Sequence, residues 1–188
     1  MTLSLDTLEI PLLGIAAWSG TGKTTLLEAL LPRLAEAGLQ VAVIKHAHHA
    51  FEVDRPGKDS HRLRQAGAAP MLVASGQRFA LMMETPDREE ADLAELIPHV
   101  LPLSPDLILV EGFKAWPLPK LELHRRVLDK PLLADRDPWV RAVATPDDIA
   151  LPAGVERLAL DDHDALVDWL SQWPGRWPEM RRGPREVA

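Results

Sequence analysis

The sequence predicts a three-layer α/β domain, and three observations carry that reading. Two short apolar runs, residues 10–17 and 106–111, are continuous rather than alternating, which suits strands buried on both faces of a sheet. Stretches with helical apolar spacing fall between such runs, so strands alternate with helices. A glycine-rich turn joins the first run to the first helix.

Taken in order, residues 10–17 form the first strand. The helix after it runs from about Lys23 to Ala37, with Leu26, Leu27, Leu30, Leu31 and Leu34 on one stripe. Gly38 stops it, and Pro32 removes one backbone bond and is expected to kink it. Residues 39–44 read as a second strand that gives way to a polar loop, Lys45-His-Ala-His-His49, continuing through Gly57. Asp59 is placed as the cap of a short helix reaching Gln65, closed by Gly67. Strands are expected at 71–74 and 79–83, an acidic amphipathic helix at 89–100, and the second strong buried strand at 106–111. Past Gly112 the pattern weakens to short strands at 121–123, 140–144 and 155–160 and a last helix at 164–173. From Pro174 onward proline, glycine and arginine dominate, and a frayed tail is expected over 174–188. No linker or repeat divides the chain, so one domain is expected over 1–173.

Composition narrows the function. A chain of 188 residues buries a full core without staples, and with no cysteine it has neither disulfides nor thiolate chemistry. A formal charge of −7 argues against nucleic acid as a partner. The first nine residues carry acids instead of a basic leader, and the apolar run 10–18 is far too short to span a bilayer. A soluble, cytoplasmic protein with no membrane partner is expected.

The turn after the first strand has a chemistry of its own. Ser19, Gly20, Thr21, Gly22, Lys23, Thr24 and Thr25 fit a loop whose backbone N–H groups cradle phosphates at a helix N-terminus. Gly20 and Gly22 allow the wrap, Lys23 reaches the β- and γ-phosphates, and the Thr24 hydroxyl is placed on Mg²⁺. The usual pattern opens on glycine, whereas this chain has Ala17 there.

Such a loop needs a second group. Glu111 leaves the buried strand at its carboxyl end, where it can hold a metal-bound water or orient an attacking one. Gly112 can offer its N–H to a γ-phosphate. Asp59 and Asp54 are candidates to approach the metal, with a solvated loop and a helix cap as the alternative. Lys45, His46, His48 and His49 form a cluster suited to an anionic ligand or substrate, to a transition metal, or to no ligand at all.

Several strings together resemble the molybdopterin-guanine dinucleotide biosynthesis protein B family. They are Ala17-Trp-Ser-Gly-Thr-Gly-Lys-Thr-Thr25, Lys45-His-x-His-His49, Pro56-Gly-Lys-Asp-Ser60, Ala66-Gly-Ala68, Val73-Ala-Ser75, Glu84-Thr-Pro86 and Val110-Glu-Gly-Phe-Lys114. The likeness spans about residues 12–114, more weakly to about 170, and makes Ala17 the family's own variant. It implies a P-loop NTPase fold with a mostly parallel sheet and some antiparallel additions. It also implies a homodimer that binds GTP with Mg²⁺, hydrolyses it slowly and assists the nucleotidyltransferase that joins GMP to molybdopterin. By position, Gly20 to Thr25 would be the phosphate site, with Glu111 and Gly112 the second phosphate motif.

No Asn-Lys-x-Asp string for reading guanine is present; Asp147 and Asp148, after a predicted strand, are the candidates for that task. Arg62, Arg64 and Arg78 are candidate charge stabilisers for hydrolysis. Two other functions stay open at this level: an ATP-dependent small-molecule kinase with Arg125, Arg126 and Arg136 in a lid, and a non-catalytic metal or pterin chaperone built on the histidine loop.

Overall fold

The computed structural model describes residues 5–47, 51, 53–86, 88 and 90–184. Its elements are β1 (Leu12–Ala17), α1 (Lys23–Glu36), β2 (Val41–Lys45), α2 (Asp59–Gln65), β3 (Met71–Ala74), β4 (Phe79–Met82) and α3 (Leu93–Val100). There follow β5 (Leu107–Glu111), β6 (Lys120–Leu123), β7 (Val140–Thr145), β8 (Glu156–Ala159), α4 (His163–Ser171) and α5 (Trp173–Met180). The chain divides into two compact units, Met1–His46 with Asp92–Ala188, and Ala47–Ala91, where the sequence showed no dividing linker.

The first unit is built on a six-stranded sheet in the order β2-β5-β1-β6-β7-β8, parallel throughout. β1 is central, so both its faces must be apolar, and all six of its residues are buried. Leu13, Ile15 and Ala17 face Leu26, Leu30 and Leu34 of α1 and Leu166 and Leu170 of α4. Leu12 lies on the opposite face with Leu93 and Ile97 of α3, Phe113 and Leu118. Each such leucine removed from water contributes about 1.5–3 kcal/mol.

The link from β5 to β6, residues 112–119, crosses β1 with no helix of its own. Gly14 makes room for it. A Cβ there would stand 3.0 Å from both Leu118 Cδ1 and Lys120 Cγ. Burial of Phe113 and Leu118 lets this short link do the covering that a crossover helix does elsewhere.

Two expectations are corrected here. Residues 174–180 are not frayed: α5 spans Trp173–Met180, with Trp173 at 0% and Trp177 at 2% exposure. Trp173 Nε1 donates to the Leu12 carbonyl at 3.0 Å, and Trp177 Nε1 and Arg181 donate to the Leu8 carbonyl at 2.8 and 2.7 Å. Two buried tryptophans at helical spacing outweigh the prolines: Pro174 falls in the first turn, where no backbone bond is lost, and burial of both rings offsets the bond that Pro178 removes inside the helix. Asp59 is not a helix cap either. Lys58 holds that position in α2, and no side chain caps the helix.

The second unit holds α2 and the antiparallel pair β3–β4, in register from Met71↔Met82 to Ala74↔Phe79. The antiparallel addition is therefore a separate two-stranded sheet. Arg64 of α2 binds Asp54 at 3.0 Å and Glu84 at 2.7 Å. The hydrogen bond from Arg64 holds the Asp54 carboxyl below its ordinary range. Leu72, Phe79 and Leu81 share one exposed face of the hairpin.

Candidate phosphate-binding site

β1 ends at Ala17 and α1 begins at Lys23, so the loop closes in five residues, 18–22. It closes because Gly20 and Gly22 take φ of 82° and 98°, values that a side chain disfavours. Nothing lies within 4 Å of a Cβ at either glycine, so the requirement is conformational, not steric. Thr21 is 3% exposed, and its Oγ1 donates to the Trp18 carbonyl at 2.7 Å across the turn. α3 and α4 are capped by Asp92 and Asp162, but α1 has no side-chain cap, which leaves its first-turn N–H groups for an anion. Ser19, Thr24 and Thr25 are exposed around that opening. Lys23 reaches back to the Ala17 carbonyl at 3.5 Å.

Glu111 lies across the loop, at the end of β5, paired in register with Ile15 of β1 and Lys45 of β2. Its carboxylate, 12% exposed, accepts from Lys45 Nζ at 2.7 Å. Gly112 has φ 93°, and a Cβ there would lie 2.9 Å from His46 Cβ and 3.1 Å from the His46 carbonyl oxygen, so glycine is required twice over. The His46 N–H donates to the Glu111 carbonyl at 2.8 Å, and its ring packs on Phe113 at 5.0 Å. Burial lowers the Lys23 ammonium below the ordinary lysine range; Glu111 opposes the shift, and Lys114 and Lys45 add to it.

The loop has an outer strap that the sequence did not reveal. Arg125 Nε donates to the Thr21 carbonyl at 3.2 Å, and Trp18 Nε1 donates to the Pro131 carbonyl at 2.8 Å. The strap is tied down at Arg126, whose N–H donates to Asp147 Oδ2 at 2.7 Å. It is tied again where Glu122 accepts from the Leu133 and Ala134 N–H groups, both at 2.8 Å. Thus Asp147 serves the strap, while Asp148 is exposed and paired with Arg157 at 2.7 Å. Both follow β7 on the sheet edge of the glycine loop, since Ala144 is in register with Leu123, and Leu123 with Ala17. Arg125 is committed to the strap instead of a lid, and its second contact is Asp161 at 3.7 Å.

Asp59 belongs to the second unit, exposed and 4.0 Å from Arg62. His48 and His49 lie outside the described residues. Among the described residues, no group of three or more His, Asp or Glu is arranged to hold a metal ion. Lys114 had no role in the sequence reading although it stands in one of the quoted strings; the structure sets its ammonium 5.0 Å from the centre of the Trp18 ring.

Glu122 is fully buried, and burial pushes its carboxyl up to about 7 against the pull of its two N–H donors, with Asp135 and Asp137 adding to the rise. A raised acid stabilises the fold fully below the unfolded value near 4.5 and loses that contribution as pH rises through about 7. The loss amounts to about 3 kcal/mol. Urea unfolding of the wild type and of Glu122→Gln between pH 4.5 and 8 checks this. The wild type should weaken across the window and the variant should show a flatter profile; parallel profiles would refute it.

A parallel sheet carrying a glycine loop from its central strand into an uncapped helix, with an acid ending the neighbouring strand, is the architecture of the P-loop class of α/β proteins. Within that class the chain belongs to the MobB family, molybdopterin guanine dinucleotide synthesis protein B, which it matches over residues 12–146. It is 47% identical over 167 residues to the molybdopterin-guanine dinucleotide biosynthesis adapter protein of Escherichia coli (strain K12), covering 87% of this chain and 93% of that one. The adapter protein of the same name from Haemophilus influenzae is 44% identical over 168 residues, covering 88% and 90%. The crystal structure of Bacillus subtilis MobB superposes with a TM-score of 0.66 at 29% identity, over 87% of this chain and 98% of that chain. No helix among the described residues is long and apolar enough to cross a membrane.

Proposed function

We propose that this chain is a cytoplasmic GTP-binding protein with slow GTPase activity, serving as an adapter in the attachment of GMP to molybdopterin. The observation that carries the nucleotide reading is the uncapped N-terminus of α1 behind the glycine loop, with Lys23 inside and Glu111 across it. The pathway reading is supported by the relatives named as adapter proteins. Ser19, Gly20, Thr21, Gly22, Lys23, Thr24 and Thr25 bind the phosphates, and the N–H of Gly112 meets the γ-phosphate. Glu111 orients the attacking water.

Thr24 and Glu111 supply hard oxygen donors, the kind Mg²⁺ takes, with phosphate and water completing its shell. When bound, the ion neutralises charge on the phosphate chain. The slow rate follows from the arginines. Arg125 is held by the Thr21 carbonyl, and Arg64 by Asp54 and Glu84. Lys45 and His46 sit at the mouth of the site and are suited to an anionic partner ligand, either the triphosphate or molybdopterin.

The homodimer reading draws on the hairpin. Two strands alone are marginal in water, and Leu72, Phe79 and Leu81 expose an apolar face that a second copy would cover. The nucleotidyltransferase is the partner enzyme in this reading.

Calorimetric titration of GTP and then ATP, with Mg²⁺, tests the reading. We expect a preference for GTP of about tenfold or more, equal to about 1.4 kcal/mol. Asp148→Ala should weaken GTP more than ATP, because its exposed carboxylate can exchange Arg157 for the base. Asp147→Ala should weaken both, because it also releases the strap. A preference for ATP would overturn the reading in favour of a kinase.

A further inference from the structure

We propose that Lys114 is a catalytic residue of this site, whose ammonium leaves the Trp18 ring and settles on the γ-phosphate during hydrolysis. This rests on the reading of the site as one that hydrolyses GTP.

Both ends of the Lys114–Trp18 contact are anchored, and the Lys114 side chain between them is exposed. On one side, Phe113 is 7% exposed and packed against His46, which anchors the backbone beside Lys114. On the other, the Trp18 indole is held by its bond to the Pro131 carbonyl. Trp18 is the first residue of the phosphate loop, so its ring is a resting place at the rim of the site. The other two ammoniums have set places. Lys45 is neutralised by Glu111, and Lys23 lies inside the loop on the Ala17 carbonyl. Lys114 has no acid partner among the described residues; its contact is the aromatic face. At an exposed site such a contact is weaker than a charge-assisted bond to a phosphate oxygen, so the exchange is favourable once a triphosphate is seated. The Lys114 charge is already felt at Lys23, ahead of that of Lys45, which puts it within electrostatic reach of the phosphate position.

In the step, the water oxygen bonds to the γ-phosphorus while the bond from that phosphorus to the β–γ bridging oxygen breaks. The electron pair leaves on the β-phosphate of GDP, and the water proton ends on the released phosphate. Negative charge builds on the bridging and γ-oxygens, and Lys114 supplies a cation there while Arg125 stays on the Thr21 carbonyl.

The test uses the full chain and single-turnover GTP hydrolysis, with calorimetric affinities for GDP alone and for GDP with aluminium fluoride. Lys114→Ala should slow hydrolysis roughly 100-fold while GDP affinity stays within about threefold. It should also lose the extra affinity that aluminium fluoride gives to GDP, and Lys114→Arg should recover much of both. Hydrolysis by Lys114→Ala at the wild-type rate would overturn the proposal, as would a fall in rate matched by the fall in GDP affinity. A wild-type chain that binds no GTP would overturn the reading beneath it and the proposal together, so the two failures look different.

Discussion

Replacing Trp173 with alanine is expected to lower the free energy of unfolding by about 3–5 kcal/mol, the range for removing a large aromatic from a core. The side chain is fully buried in the layer formed by α1, α4 and the sheet. It packs on Trp169 at 5.0 Å between ring centres, with the Arg176 guanidinium 5.7 Å from its own ring. Alanine would leave a cavity beside β1 and remove the donor to the Leu12 carbonyl. Trp173→Phe keeps most of the ring and should cost far less, chiefly the lost hydrogen bond of about 1 kcal/mol. Urea unfolding followed by far-ultraviolet circular dichroism separates the two. A cost for Trp173→Ala no larger than that of Trp173→Phe would contradict the packing described for α5.

Lys23→Ala should reduce GTP affinity about 100-fold, since a charge-assisted bond to phosphate in a sheltered loop contributes about 3 kcal/mol. The same change should leave the nucleotide-free fold as stable as before, or slightly more so. Burial, Lys114 and Lys45 all disfavour the charged form of Lys23, so the empty loop holds this ammonium at a cost. Calorimetry reads the first effect and thermal unfolding without nucleotide reads the second. If the unfolding temperature dropped along with affinity, the lysine would be a structural part of the turn, and the loss of binding would say little about phosphate.

Much of this fold was legible because local signals and global packing agree. The continuous apolar runs marked β1 and β5, two adjacent buried strands of the sheet, and the strand–glycine–helix order marked the glycine loop. Glu111 was legible as a strand-end acid. What escaped depends on pairing between distant segments. Nothing local to 125–134 says that β6 and β7 run beside β1, so the strap from Arg125 and Pro131 to the loop could not be read. Glu122 and Lys120 look like exposed strand positions, yet both are buried, because a parallel sheet covers both faces. The tail misled for the opposite reason: composition favoured disorder, while the four-residue spacing of Trp173 and Trp177 favoured a docked helix.

The bonds from α5 also govern the order of events during synthesis. Trp173 closes on Leu12 across 161 residues of sequence, and Trp177 and Arg181 close on Leu8 across 169 and 173. Chain entropy makes contacts this distant slow to form, and a ribosome delivers their second partner long after the first. The strand that starts the glycine loop therefore emerges 161 residues ahead of the tryptophan that seals it. Until the tryptophan helix clears the exit tunnel, the nascent protein carries β1 with one edge of its core still open to solvent and to chaperones.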